Sequence, residues 1–267
     1  MEMTLPDLFP DDDYRFQMRF ERQPAADFFR PTPQHDELIT QRRHWLKTDR
    51  ENCTVVLPDG IPLVEEAWDF AKEETNLQPS TFNLQPLLAL GSSWEPDILL
   101  LKLDSSNRMQ LLAGCVCFPS SWSLTEKIGQ PIENIHGVVP DLNAAIGPQI
   151  HSFLSKLRPG VAWLRANWGL SRSSELNQHP QRNLPKLDAQ VTLPEVWLRV
   201  EHQALVALPR TLGVLFGIRI AVHPLAEIRE DRVIAERFIR AVKTMPEPMA
   251  QYKNIAVARQ RIIDLLS

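Results

Sequence analysis

The chain has 267 residues, 43% hydrophobic and 23% charged, a globular composition long enough for one large domain, or two small ones, with a sizeable core. Its 29 basic and 33 acidic residues leave a net charge of -4, so no basic surplus exists to neutralise phosphates and no nucleic-acid partner is expected. Twenty-two prolines against ten glycines favour stiff turns and helix starts over flexible loops.

Residues 1–34 are rich in proline and acid and show little periodicity; the aromatics Phe9, Tyr14, Phe16, Phe20, Phe28 and Phe29 predict an arm that docks rather than floats. The first ten residues lack a basic cluster ahead of an apolar run and do not read as a secretory signal. Residues 35–267 read as a single domain. Leu38, Ile39 and Trp45 at helical spacing predict a helix over 36–46, followed by a short strand over 53–57. Pro62 opens a helix over 62–71, and Pro86 a helical turn over 84–90. Apolar runs over 98–103 and 109–118, broken by Asp104-Ser105-Ser106-Asn107, predict a hairpin. Ser123-Leu124-Thr125-Glu126 has capping-box spacing, and Asp141 is placed to cap a helix reaching about residue 157. Strand patterns over 162–170, 196–205 and 213–222 and helices over 225–243 and 248–266 complete the chain. Successive strands joined by short turns imply an α+β fold: a mostly antiparallel sheet flanked by helices.

The longest apolar runs, 98–101 and 212–222, are too short to span a bilayer, so no membrane partner is expected. Three cysteines, Cys53, Cys115 and Cys117, suit neither a disulfide framework nor a zinc cage or cysteine-ligated cluster, which predicts a reducing, cytoplasmic setting. The two in the 109–118 strand read as inert core thiols.

Side chains alternate across a strand, so each late strand divides into two faces. Trp163, Arg165 and Asn167 oppose Ala162, Leu164, Ala166 and Trp168; Trp197, Arg199, Glu201 and Gln203 oppose Val196, Leu198 and Val200. In the third strand Gly213, Leu215, Gly217, Arg219 and Ala221 oppose Val214, Phe216, Ile218, Ile220 and Val222. The polar faces either meet water or line a cavity over the sheet. Arg219 interrupts a run otherwise free of charge and needs an anionic partner, which Glu201 or a bound carboxylate would supply.

Among seven histidines, His35, His44, His179 and His223 read as surface residues, and His151 and His202 as partly buried structural ones. His136 lies in Ile135-His136-Gly137-Val138-Val139-Pro140, a rigid apolar turn between helices. Spacing alone puts a structural role ahead, yet an imidazole held there is also well placed to ligate a metal from one side. The chain has no nucleophile elbow, phosphate loop or dinucleotide fingerprint.

Several motifs together resemble the haem-dependent oxidative N-demethylase family. They are Phe118-Pro119-Ser120-Ser121-Trp122, Lys127-Ile128-Gly129, Ile135-His136, Val139-Pro140, Arg165-x-Asn167-Trp168, Arg199-x-Glu201-x-Gln203, Leu208-Pro209-Arg210 and Phe216-x-Ile218-Arg219, in order over most of the chain. Val138 stands where the family pattern has proline. The resemblance implies a PAS-like α+β fold carrying haem b, and an iron-dependent mono-oxygenase (oxidoreductase) reaction. In it, O2 is used to remove a methyl group from a small secondary amine such as dimethylamine, releasing formaldehyde. Electrons would come from NADPH through separate FMN and iron–sulfur reductase subunits. The same resemblance implies His136 as the haem iron ligand, Arg165, Asn167, Arg199 and Arg210 as cofactor-binding residues, and Glu201 and Arg219 as catalytic ones. Two other readings remain: a non-catalytic haem-binding or gas-sensing module, and a divergent member that has lost haem.

Overall fold

The alternating apolar segments assemble as antiparallel strands in the computed structural model, which describes residues 4–16, 18–75 and 85–267. Among these, seven strands form one sheet: β1 (Glu21–Pro24), β2 (Thr54–Val56), β3 (Asp97–Leu103), β4 (Met109–Cys115), β5 (Val161–Ser171), β6 (Trp197–Leu208) and β7 (Gly213–Pro224). They stand in the order β1-β5-β6-β7-β3-β4-β2, each pairing antiparallel, with helices packed around the sheet. The fold is thus α+β, as the strand spacing implied. No described helix is long and apolar enough to cross a membrane.

Two apolar clusters fill the interior. One gathers Phe28, Phe29, Leu63, Trp94, Ile98 and Leu215; the other joins Phe9, Leu198 and Val200 to Phe238, Ile262 and Leu266 of the C-terminal helices. Phe9 is 1% exposed and sits edge-on to Trp168 and Phe238, with ring centroids 5.2 and 4.9 Å away. Gly217 admits the aromatic pair Phe28–Phe29 onto the sheet: a Cβ there would lie 2.9 Å from the Phe28 ring and 3.0 Å from the Phe29 ring.

Helices form at His35–Thr48, Ile61–Glu74 and Pro86–Gly91, close to their predicted bounds; the start of the predicted turn at Leu84 lies outside the described residues. Four helix expectations are corrected. The Ser123 hydroxyl bonds the Thr125 hydroxyl at 2.7 Å instead of capping, and the helix stops after Leu124–Lys127. Asp141 takes a left-handed backbone (φ 60°) and gives helix Leu142–Leu154 no side-chain cap. The predicted helix over 225–243 breaks at Asp231, whose carboxylate accepts the Val233 and Ile234 amides at 3.0 and 3.1 Å and starts a new helix, Arg232–Thr244. An aspartate inside a periodic run thereby ended one helix and capped the next. The run over 248–266 divides likewise, into Glu247–Tyr252 and Arg259–Leu266 around a short turn at Ala256–Ala258.

The hairpin region holds a fully buried ion pair that periodicity did not show. Arg42 donates to Asp97 at 2.6 Å, and Asp97 also accepts the Cys117 and Phe118 amides at 2.7 and 3.0 Å. Burial pushes the Asp97 carboxyl up to about 6, while Arg42 and the backbone donors keep it ionised at neutral pH. Cys53, Cys115 and Cys117 are buried free thiols beside this pair.

Candidate functional site

Residues directly opposite one another in an antiparallel pair share a face, so the register decides which polar side chains meet. Arg165 lies opposite Gln203, and Asn167 opposite Glu201. On the next strand Glu201 faces Ile220, and Gln203 faces Ile218. One side of the sheet therefore carries Trp163, Arg165, Asn167, Arg199, Glu201 and Gln203 with the apolar Ile218 and Ile220. The expected polar face exists for β5 and β6.

Arg219 does not belong to it. It lies opposite His202, on the reverse side of the sheet. Its anionic partner is Glu95, at 3.2 Å, rather than Glu201. Its guanidinium also donates to the Phe28 and Arg30 carbonyls at 2.8 and 3.1 Å and lies 5.1 Å from the Phe28 ring centroid. Glu95 in turn accepts the Thr32 amide at 2.6 Å and pairs with His35 at 3.0 Å, so His35 is tied to a buried carboxylate rather than left to solvent. Arg219 thus fastens the N-terminal segment to the sheet. Arg219→Met strands Glu95, 1% exposed, without its cation; the expected loss is about 3–5 kcal/mol. Urea unfolding reads it, and a loss under about 1 kcal/mol would refute this role.

Two further arginines have structural engagements. Arg199 is 4% exposed and spends four N–H donors on the Ser120 hydroxyl (2.7 Å) and on the carbonyls of Phe118 (2.7 Å), Leu176 (2.7 Å) and Glu175 (3.3 Å). It clamps two loops and has little donor capacity left for a cofactor. Burial pulls its guanidinium down to about 10. Arg210 sits in the turn between β6 and β7, exposed, and pairs with Asp69 at 2.6 Å and Glu66 at 3.8 Å on helix Ile61–Glu74. Neither supports the cofactor contact that the motif suggested. His179, expected at the surface, is 5% exposed, because loop 172–183 folds it inward.

Arg165 differs from these. Among the described residues its side chain makes no hydrogen bond or ion pair; burial lowers its affinity for its proton, and only the charge of Glu201 offsets this. Glu201 accepts from Gln203 at 3.0 Å and from Asn167 at 3.5 Å. Lys253, which sequence reading missed, donates to Asn167 Oδ1 at 3.3 Å and to the Trp168 carbonyl at 2.5 Å, and lies 5.3 Å from the Trp168 ring. Burial pulls its ammonium down to about 8, against the attraction of Glu201. A lysine just past a helix end, 86 residues from its partner, leaves no pattern in sequence.

His136 ends the short helix Ile132–His136. Asn143 donates to the Glu133 carbonyl at 2.7 Å and ties this turn to helix Leu142–Leu154, whose Phe153 packs 5.4 Å from Trp163 on the Arg165 side of the sheet. The imidazole makes no side-chain hydrogen bond among the described residues, and its Nδ1 is buried without a partner. Burial, and after it the charge of Arg165, pulls its pKa down to about 4. The unfolded chain takes this proton near 6.5 and the folded chain only near 4, so folding stability falls as pH drops through that window and levels off below it. In the haem-free chain, His136→Phe should therefore lose less stability than the parent between pH 7 and pH 4.5, read by urea unfolding; equal losses would contradict the depressed pKa.

A neutral imidazole with an unused lone pair, and near it a guanidinium that makes no ion pair among the described residues, fit a planar iron-bearing dicarboxylate. The fit is chemical: one neutral imidazole and one cation without an ion pair among the described residues, on the same side of a sheet whose floor is partly apolar. Residues 67–263 match the family described as haem-dependent oxidative N-demethylase, alpha subunit-like, and with this match covering most of its length the chain belongs to that family.

Proposed function

We propose that this chain is the haem-holding subunit of an oxygen-dependent amine N-demethylase. The observation that carries the reading is the His136 imidazole, without a hydrogen-bond partner among the described residues, close enough to feel the charge of Arg165 on the Glu201 face. In the proposed reaction a small secondary amine loses one methyl group as formaldehyde. One oxygen atom of O2 goes into formaldehyde and the other into water, with two electrons and two protons supplied. Those electrons come from NADPH through FMN- and iron–sulfur-bearing partners; the family's description as an alpha subunit supports partner subunits, and the chain has no dinucleotide fingerprint of its own.

When bound, haem b supplies an iron centre that activates oxygen. His136 would hold it from one side and Arg165 would pair a propionate. Glu201, whose Oε2 is fixed by Gln203 and Asn167, would attract the ammonium of the substrate by charge and hold or release a proton at its Oε1. Asn167 would act through Glu201 rather than on haem. The order β5-β6-β7-β3-β4 of the central strands supports the PAS-like reading of the fold.

The test is formaldehyde release from dimethylamine by haem-loaded protein in air with a flavin reductase and NADPH. Formaldehyde in step with oxygen uptake supports the reading. A haem-bearing protein inert toward a panel of secondary amines would overturn catalysis and leave a haem-binding module.

A further inference from the structure

We propose that Arg165 and Lys253 together form a carboxylate-binding site, walled in part by the N-terminal arm. This rests on reading the Glu201 face as the haem and substrate site, and adds a second cation beside Arg165 and the chemistry that the two hold. Arg165, Asn167 and Lys253 line one cavity of about 130 Å³. The arm supplies further lining through Leu8, Tyr14 and Phe16, and is fastened by Arg240, which pairs with Asp11 and Asp13 at 2.9 Å each. Such a space holds a carboxylate and the carbons that carry it, but not a porphyrin.

Among the described residues neither cation has an ion-pair partner. Arg165 uses none of its five N–H donors on them, and Lys253 spends two of its three, on the Trp168 carbonyl and Asn167 Oδ1. The aspartates that share the lining are engaged elsewhere. Asp7 accepts the Thr4 amide and hydroxyl, Asp12 pairs with Arg15 at 2.5 Å, and Asp13 is held by Arg240. The charge of Glu201 acts on both cations, yet it forms an ion pair with neither and accepts instead from Gln203 and Asn167. Burial lowers the Lys253 ammonium, and the charge of Arg165 adds to the effect, so the two cations lie near enough to repel. Two cations against one carboxylate leave a single positive charge in surplus at a cavity wall. A monoanion balances it, whereas a phosphate dianion would overshoot and face Glu201. A carboxylate accepts from a guanidinium and an ammonium side by side. That chemistry is shared by a haem propionate and by a secondary amine bearing its own acid group, whose ammonium Glu201 would attract.

The test crosses Lys253→Met, in the full chain, with haem whose two propionates are methyl esters. If the site takes a propionate, Lys253→Met should bind haem about tenfold more weakly or worse, while the diester binds variant and parent alike. If it takes the acid group of a substrate, haem affinity stays parental. N-methylglycine, followed by calorimetry, should then bind Lys253→Met about tenfold more weakly, with dimethylamine unaffected. Lys253→Arg keeps the charge and should stay close to the parent in whichever measurement responds. Equal losses for haem and its diester would make Lys253 structural and overturn the site, as would parental affinity for both haem and N-methylglycine in Lys253→Met. A parent that takes up no haem removes the cofactor reading but not the site. N-methylglycine binding to the haem-free chain, lost in Lys253→Met, would then support it, and no binding would overturn it. If Lys253→Met does not fold, Lys253→Gln, which keeps a donor for the Trp168 carbonyl, carries the same cycle.

Discussion

His136→Ala is expected to purify without a Soret band, or with a small fraction of the parental haem, while its far-ultraviolet circular dichroism stays unchanged. The imidazole is suited to ligation because burial and Arg165 keep it neutral: at pH 7 no proton must leave before the lone pair can bind iron. Its surroundings are also those of a group awaiting a partner, since no described residue hydrogen-bonds its ring. Truncation should leave the fold intact, as the short helix Ile132–His136 buries none of its side chains completely. Added imidazole should restore part of the band by entering the vacated space. The pH profile of haem retention in the parent should be flat from pH 8 to about 6 and fall towards pH 4 as the ring begins to take a proton. An unaltered spectrum in His136→Ala would mean that the iron is held elsewhere.

Glu201→Gln is expected to cut formaldehyde release about 100-fold or more at saturating amine, with the haem spectrum retained. Glutamine keeps the shape and one acceptor oxygen, so Gln203 and Asn167 retain a partner, but the charge that would hold an ammonium or a proton is gone. Glu201 also offsets the desolvation of Arg165, so haem affinity should weaken slightly rather than collapse. Full turnover in Glu201→Gln would remove this residue from the chemistry. A matching loss of haem would make its role structural.

Much of this architecture was legible in the chain. The seven-residue apolar strand Asp97–Leu103, the long strands β5 to β7 and the helices near Trp45 and Trp68 follow from periodicity, because burial of one face imposes a two- or 3.6-residue repeat. Helix ends were less legible: Ser123 and Asp141 carried capping signals they do not use, and Asp231 used one that a continuous helical pattern concealed. His136 stood out through the motif around it, whereas its lowered pKa follows from burial and from the charge of Arg165, which only the folded chain brings near.

The sequence by itself determined the α+β class, the alternation of each strand, the family-bearing motifs, and the requirement that Arg219 find an anion. Tertiary structure alone decided which faces meet. Alternation separates the two sides of a strand but does not say which side joins the polar side of its neighbour, since a shift of one residue exchanges them. The register of β6 with β7 placed Arg219 opposite His202 and gave it Glu95, while Arg165, Asn167 and Glu201 gathered on the reverse side. Lys253 joined them from 86 residues away, by packing that no local pattern encodes.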